Sequence, residues 1–320
     1  MDFGMAGAIR VGVVGLGYFG SFHAKHYANN PDARLIAVVD ADRGRAEAKA
    51  AELSADAFTA HRDLIGKVDA VSIAAPTSLH HDIAADLIDA GIHVLIEKPI
   101  TDDSRTARDI VRRATARRVV CEVGHIERYS PTFRALQEKV GEPSIAKLTR
   151  VGPWTGRAAD VDVVLDLMIH DIDLALALVR SPVRSVQAVG MKLVTDQIDF
   201  AVAYLGCQNG ATAILTAGRG NFPKERTVRV EEGGRLLQAD LTVGRVQSLA
   251  AKPGEATIDI AVPARDALGD EIAAFLRSVA ARRSTGVSGE EGLEALLVAE
   301  MIRTSINRHG APVEGALQEA

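Results

Sequence analysis

The sequence predicts two domains. Residues 1–126 read as an α/β domain with a doubly wound parallel sheet, and residues 127–320 as an α+β domain with a large, mainly antiparallel sheet. Three observations carry this. Strand-like and helix-like segments alternate through the first 125 residues, strand follows strand further on, and a glycine-rich turn joins the first strand to the first helix. Alternation with short connections implies parallel strands covered on both faces, and strands in succession imply antiparallel pairing.

The elements follow in order. "AIRVGVVG" is a β-branched run, and "GSFHAKHYANN" a helix stopped at Asn29-Asn30-Pro31. "RLIAVVD" is a strand, "GRAEAKAAEL" a helix, and a short strand falls near Ala57–Thr59. "VDAVSIAAP" is a strand, "HHDIAADLIDAG" a helix closed by Gly91, and "IHVLIEKP" a strand. "SRTARDIVRRATARR" is a helix and "VVCEVGH" a strand. The second domain reads "SIAKLTRV", "SVQAVGMKLV", "IDFAVAYLG", "GATAILTAG", "RTVRVEEGG", "RLLQADL" and "TIDIAV" as strands. Gln208-Asn209-Gly210 and Gly233-Gly234 suit hairpin turns. Helices near 265–282 and 289–308 end the chain.

Composition bounds the function. The chain has 320 residues, 47% hydrophobic and 25% charged, with a net charge of −5. That is an ordinary globular composition without the basic footprint of a nucleic-acid-binding protein. No apolar stretch reaches 18 residues, so no membrane span is expected. Two cysteines, Cys121 and Cys207, without paired spacing suit a reducing compartment, and a cytoplasmic location is expected.

The glycine turn "VGVVGLGYFG" places Gly15, Gly17 and Gly20 in a G-x-G-x-x-G between strand and helix. Gly15 permits the turn, Gly17 lets a pyrophosphate approach the backbone, and Gly20 allows close helix–strand packing. The helix N-terminus adds donors and a positive dipole end. Asp40, at the end of the second strand, suits the adenosine ribose hydroxyls and would repel a 2′-phosphate, which favours NAD over NADP. Arg43 nearby weakens that preference. The alternative is a glycine turn with no ligand.

Two further stretches carry chemistry. "EKPI" ends a buried strand with Glu97 and Lys98 at the edge where a nicotinamide would lie, beside "AAPTSLHH" (74–81). Lys98 there suits proton transfer with a lowered pKa; the other reading is a solvated Glu–Lys pair. In "DLMIHDIDLALAL" (166–178), Asp166, His170 and Asp173 fall within about 60° on an α-helix that is otherwise apolar. Asp166 could orient His170 as a general base. A capping and packing role, or a metal site formed by the three side chains, are the other readings.

Together the glycine loop, "AAPTSLHH" and "EKPI" resemble the Gfo/Idh/MocA family of nicotinamide-dependent sugar and polyol oxidoreductases. The resemblance implies that Lys98 is catalytic, that Pro99 shapes the strand exit through a cis bond, and that Asp166 and His170 form a D-x-x-x-H pair facing the nicotinamide. It implies NAD contacts from Gly15, Leu16, Gly17, Tyr18, Phe19, Gly20, Asp40, Ala75, Pro76, Thr77, His80, Glu97, Lys98 and His125. In "GHIERYSP" (124–131), Arg128, Tyr129 and Pro131 match the family's N-x-R-[FY]-x-P pattern, whereas His125 and Glu127 depart from it. That variant, with "GPWTGRAADVD" (152–162), resembles the subgroup acting on UDP-N-acetylglucosamine at the sugar C3. Arg157 in that loop could pair with an anionic substrate group, or could be an exposed loop arginine without a ligand. Substrate contacts are expected from Lys98, Arg128, Tyr129, Arg157, Asp166 and His170, and no metal is expected.

The expected reaction is oxidation of a secondary alcohol on a sugar or sugar nucleotide. His170, oriented by Asp166, takes the hydroxyl proton, and Lys98 stabilises the alkoxide or shares the proton. Which of Lys98 and His170 is the proximate base stays open. A free polyol dehydrogenase of the inositol type, or an NAD-sensing protein without turnover, are the alternatives. The family also implies a homodimer or homotetramer joined through the face of the antiparallel sheet.

Overall fold

The computed structural model describes residues 7–250, 252 and 254–314. The chain forms two compact units: residues up to Ile126 with Ala267–Leu293, and Glu127–Asp266 with residues from Glu294 onward.

The first unit alternates strand and helix: β1 (Ile9–Val14), α1 (Tyr18–Ala28), β2 (Ala33–Val39), α2 (Arg43–Leu53), β3 (Asp56–Phe58), β4 (Ala70–Ile73), α3 (His80–Asp89), β5 (His93–Glu97), α4 (Ser104–Arg117) and β6 (Cys121–Gly124). The six strands are all parallel, in the order β3-β2-β1-β4-β5-β6. The chain starts in the middle of the sheet, winds to one edge, then returns and winds to the other. This is the Rossmann arrangement, with its crevice where the order reverses between β1 and β4. Every residue of β4 and β6 is buried, as a sheet covered on both faces requires. Local signals set the helix starts. Asp42 Oδ1 accepts the Arg45 N–H at 3.0 Å to cap α2, and Asp103 Oδ1 accepts the Thr106 N–H at 2.9 Å to cap α4.

The second unit contains α5 (Pro131–Gln137), β7 (Ile145–Pro153), α6 (Ile169–Val179), β8 (Val183–Met191), β9 (Phe200–Cys207), β10 (Thr212–Gly220), β11 (Glu225–Glu232), β12 (Arg235–Asp240), β13 (Arg245–Leu249) and β14 (Ile258–Ile260). After α7 (Ala267–Ala281), which belongs to the first unit, α8 (Gly289–Asn307) carries the chain back, and β15 (Val313–Glu314) follows. The nine strands run β14-β13-β12-β11-β7-β10-β9-β8-β15. One pair, β7 with β10, is parallel and the others are antiparallel. The parallel pair follows from the connection, since β7 leads into a helix before the chain returns. One sheet face packs on a core including Phe133, Leu148, Ile172, Leu205, Leu215 and Ile302.

The structure differs from the sequence reading in five places. The segment 267–293 returns to the first unit, where Ile272, Phe275 and Leu276 complete the core around Tyr27 and Leu95. Three elements escape the pattern: α5, a short helix with Ser130 at its cap and Pro131 in its first turn, β13, a strand only five residues long, and the two-residue β15. The stretch read as one α-helix from 166 begins instead with a π-helical turn, Val164–Met168, before α6.

A buried carboxylate ties the returning segment to the first unit. Glu122 on β6 is 1% exposed, and its Oε1 accepts the Ser278 and Ser284 hydroxyls at 2.6 Å and the Thr285 and Gly286 N–H groups at 3.2 and 3.0 Å. Glu122→Ala strands these donors, so it should destabilise the protein by about 2–4 kcal/mol, with Glu122→Gln milder. Urea unfolding followed by circular dichroism measures this; an Ala variant as stable as wild type would show the donors find other partners.

Candidate active site

The parallel sheet delivers every strand exit of the first unit to one edge. After β1 comes the glycine turn. Gly15 has φ +87°, and a Cβ there would meet the Ala74 backbone at 2.6 Å. A Cβ on Gly20 would lie 1.8 Å from Gly15 O, so α1 packs directly on the turn. Gly17 caps α1 and has nothing within 4 Å of its Cβ position. Gly15 and Gly20 thus allow close packing, and Gly17 leaves the approach to the backbone open.

Asp40 follows β2 and is buried. Its Oδ2 accepts the Leu16 N–H at 2.8 Å and its Oδ1 the Asp42 N–H at 2.9 Å, so it also braces the glycine turn. The cation beside it is Arg45, whose Nη1 lies 3.3 Å from both carboxylate oxygens. Arg43, expected to temper Asp40, lies instead 3.8 Å from Glu47 on an exposed helix face. Helix periodicity turns position 45, not 43, toward the strand end.

A cleft of about 890 Å³ opens along this edge, lined by residues including Gly15, Gly17, Asp40, Arg45, Ala75 and Pro76. It fits a dinucleotide: open backbone at a helix N-terminus for the pyrophosphate, and a carboxylate for ribose hydroxyls, which would take the place of Arg45 on its oxygens. Tyr18 and Phe19 open α1 and are exposed, their rings 5.4 Å apart. Thr77 starts a single 3₁₀ turn after Pro76.

His80, expected to touch the cofactor, does something else. It is 1% exposed, with Nδ1 3.0 Å from Pro99 O and Nε2 2.8 Å from Ala75 O. Both ring nitrogens thus brace the exits of β4 and β5. His125 is buried where β6 ends.

The β5 exit has a cis Lys98–Pro99 bond. Lys98 is half-buried, and its N–H donates to Glu97 Oε2 at 3.3 Å. Behind Glu97 runs a buried chain that sequence reading missed. His23 Nε2 lies 3.0 Å from Glu97 Oε1, His23 Nδ1 3.1 Å from Ser72 Oγ, and Ser72 Oγ 2.7 Å from Tyr27 Oη. A Cβ on Gly124 would meet the Glu97 carboxyl at 3.1 Å, so glycine makes room for it. Burial pushes the Tyr27 hydroxyl well above its ordinary range, against the pull of Ser72, so Tyr27 stays neutral. The available signal was the spacing of His23 and Tyr27, one turn apart on the inward face of α1. Glu271 of α7 joins His23 and Glu97 within 4.8 Å, the one such group of three metal-ligand types among the described residues. The stripe Asp166, His170 and Asp173 is not such a group.

In the second unit, Asp166 lies in the π turn and His170 in the first turn of α6. The wider turn changes the angular spacing assumed for an ideal α-helix, a departure common at functional sites. Both side chains are partly exposed. Asp173 is buried and paired with Arg128, whose Nε donates at 2.9 Å. Tyr129 is buried under the Arg134 guanidinium, 4.8 Å from its ring centre. Arg128 and Tyr129, expected at the substrate, are therefore engaged within this unit. So is Glu127, which accepts from Arg150 at 2.8 Å, while Arg150 also holds Asp171 Oδ1 at 2.9 Å. Burial works against the Arg150 charge, but Asp171 and Glu127 outweigh it and move its pKa up. Arg157 is exposed on the loop after β7.

The fold is that of a protein with a dinucleotide-binding unit, and comparison with known proteins makes it an oxidoreductase. Residues 9–125 match the Gfo/Idh/MocA model described as an oxidoreductase family with an NAD-binding Rossmann fold, and residues 136–233 match the Gfo/Idh/MocA C-terminal domain. The chain is 37% identical over 309 residues to a UDP-N-acetylglucosamine 3-dehydrogenase from Acidithiobacillus ferrooxidans, covering 93% of this chain and 97% of that one. A crystal structure of that enzyme has a TM-score of 0.89 at 35% identity, covering 95% and 99% of the two chains. An inositol 2-dehydrogenase from Rhizobium meliloti is 27% identical, covering 93% and 97%. The chain belongs to the Gfo/Idh/MocA family of oxidoreductases.

The glycine geometry separates two effects. Gly17→Val should weaken NADH binding by about 10- to 100-fold, the effect of displacing a bound group by an ångström, with Tm near wild type. Gly20→Ala should lower both affinity and Tm. Calorimetric titration and thermal melts distinguish them; equal NADH affinity in Gly17→Val would remove the pyrophosphate from this turn.

Proposed function

We propose that the protein oxidises the C3 hydroxyl of UDP-N-acetylglucosamine to the 3-keto sugar nucleotide, using NAD. One observation carries the substrate: the 37% identity to an enzyme of that name extends through both units. When bound, NAD accepts the hydride. Lys98 donates a hydrogen bond to the alcohol oxygen and stabilises the charge that develops there. His170, oriented by Asp166, takes the hydroxyl proton. Asp40 holds the adenosine ribose, and its negative charge favours NAD over NADP despite Arg45 at its side. A free polyol is the other substrate reading, favoured by the inositol dehydrogenases among the relatives.

The test is NADH formation with UDP-N-acetylglucosamine, free polyols and free sugars, in the presence of a ketone trap. Turnover with UDP-N-acetylglucosamine alone supports the proposal, and turnover with polyols alone overturns the substrate. NADP should be at least about tenfold poorer, the effect of one unfavourable charge contact. Lys98→Ala and His170→Ala should each lower kcat by about 100- to 10,000-fold. Unchanged activity in both would overturn the assigned roles.

We further propose a cytoplasmic homodimer or homotetramer. Cys121 and Cys207 are buried, and burial pushes the Cys207 thiol up to about 11, so neither is poised for oxidation. The sheet face opposite the helices carries exposed Val189, Met191 and Tyr204 on β8 and β9, with Ile145 on β7. Exposed apolar side chains on one sheet face suit association. Light scattering should give a dimer or tetramer, and Tyr204→Glu should shift it toward monomer. A wild-type monomer at micromolar concentration would sink this assembly.

A further inference from the structure

Arg219, near the end of β10, is 3% exposed, and its guanidinium donates four hydrogen bonds to the loop between β7 and the π turn and to that loop's supports. Nη1 donates to Ala158 O and Nη2 to Val161 O, both at 2.7 Å. Nε donates to Asp199 Oδ1 at 2.8 Å, and Nη2 reaches Thr195 Oγ1 at 3.3 Å. The guanidinium lies 4.9 Å from the centre of the Trp154 ring, and Nη1 lies 3.8 Å from Asp166 Oδ2. A planar fork with fixed donors can hold this many groups at once; a lysine ammonium cannot.

The anchor of the arginine is itself anchored. Asp199 is fully buried, and its Oδ2 accepts the N–H groups of Leu193, Val194 and Thr195, each at 2.8 Å. Burial pulls its pKa up, but these amides and Arg219 win and hold it well below the usual carboxylate range. The ends of the loop are clamped by neighbours of the same pair: Trp154 N–H donates to Gly220 O at 2.9 Å, and Val163 N–H to Ile198 O at 2.8 Å. Between the clamps, Ala158 has φ +52°, a left-handed conformation that a residue with a Cβ resists. Such strain persists where surroundings over-determine it, and the bond from Arg219 to Ala158 O supplies that restraint.

We propose that Arg219 is the positioning residue of this loop, holding Trp154 and Arg157 as a preformed platform for the nucleoside diphosphate part of the substrate while orienting the Asp166 carboxylate. The proposal rests on the sugar-nucleotide reading above. A tryptophan and an exposed arginine three residues apart in one restrained loop match a base and a diphosphate, and preorganisation lowers the cost of binding them.

Trp154 is the only tryptophan of the chain, so its emission reports on the loop alone. In the wild type, saturating UDP-N-acetylglucosamine should protect Trp154 from acrylamide quenching, and no change would overturn the proposal. Arg219→Lys keeps the charge and loses the fork. It should raise the KM for UDP-N-acetylglucosamine by about 10- to 100-fold, increase Trp154 quenching, and leave NADH affinity unaltered. A role in fold stability alone would move Tm without this split. A wild type inactive on UDP-N-acetylglucosamine overturns the substrate reading and the proposal together. A wild type active on it, with KM and quenching retained in Arg219→Lys, overturns the proposal alone.

Discussion

Parallel pairing constrains the first unit more than any single contact. Strands that all run one way must all end at one edge, and each then hands the chain to a turn there. The glycine turn, Asp40, Ala75–Pro76, Lys98 and His125 are far apart in sequence, yet the sheet order alone brings their strand ends into one row. Backbone hydrogen bonding supplies the alignment, and the side chains need only be correct at each exit. The rest of the unit protects that edge: His80 ties two exits together, and Asp40 ties a third to the glycine turn.

The two units stabilise polar groups in different ways. The first buries a chain of hydroxyl, imidazole and carboxylate behind Glu97, in which each member meets a partner of complementary donor or acceptor character. The second buries full charges, and meets their desolvation cost by pairing: Arg150 with Asp171 and Glu127, Arg219 with Asp199, Arg128 with Asp173. Removing one member of such a pair strands the other, so these pairs specify their local structure more strongly than their net stabilisation suggests. Asp171 and Asp173 follow His170 on α6, so two of these pairs fix the helix that carries it.

Local signals were legible in the sequence, and long-range ones were not. The strand–helix alternation, the glycine turn and Asp40 rest on spacing within a few tens of residues, and the fold of the first unit follows from them. The mixed pairing of the second sheet depends on which distant strand lies beside β7, which periodicity does not encode. The π turn changes the helical repeat for a single turn, too briefly to alter an apolar pattern. Arg219 stands in "AGRG" as one charge in an apolar strand, a sign of a buried pair but not of its partners, which lie in three other segments. Arg128 and Tyr129 matched a family pattern, and the pattern did not say which way their side chains turn.

The path of the chain has a genetic consequence. It passes between the units after Ile126, after Asp266 and, inside α8, after Leu293. Neither unit is therefore a contiguous stretch of coding sequence. A recombination joint at 126/127 would separate the first unit from α7, and from the Ser278–Gly286 donors that satisfy Glu122. Units interleaved in this way cannot be exchanged as cassettes. Variation in either unit must instead arise by change within it, with the chain kept whole.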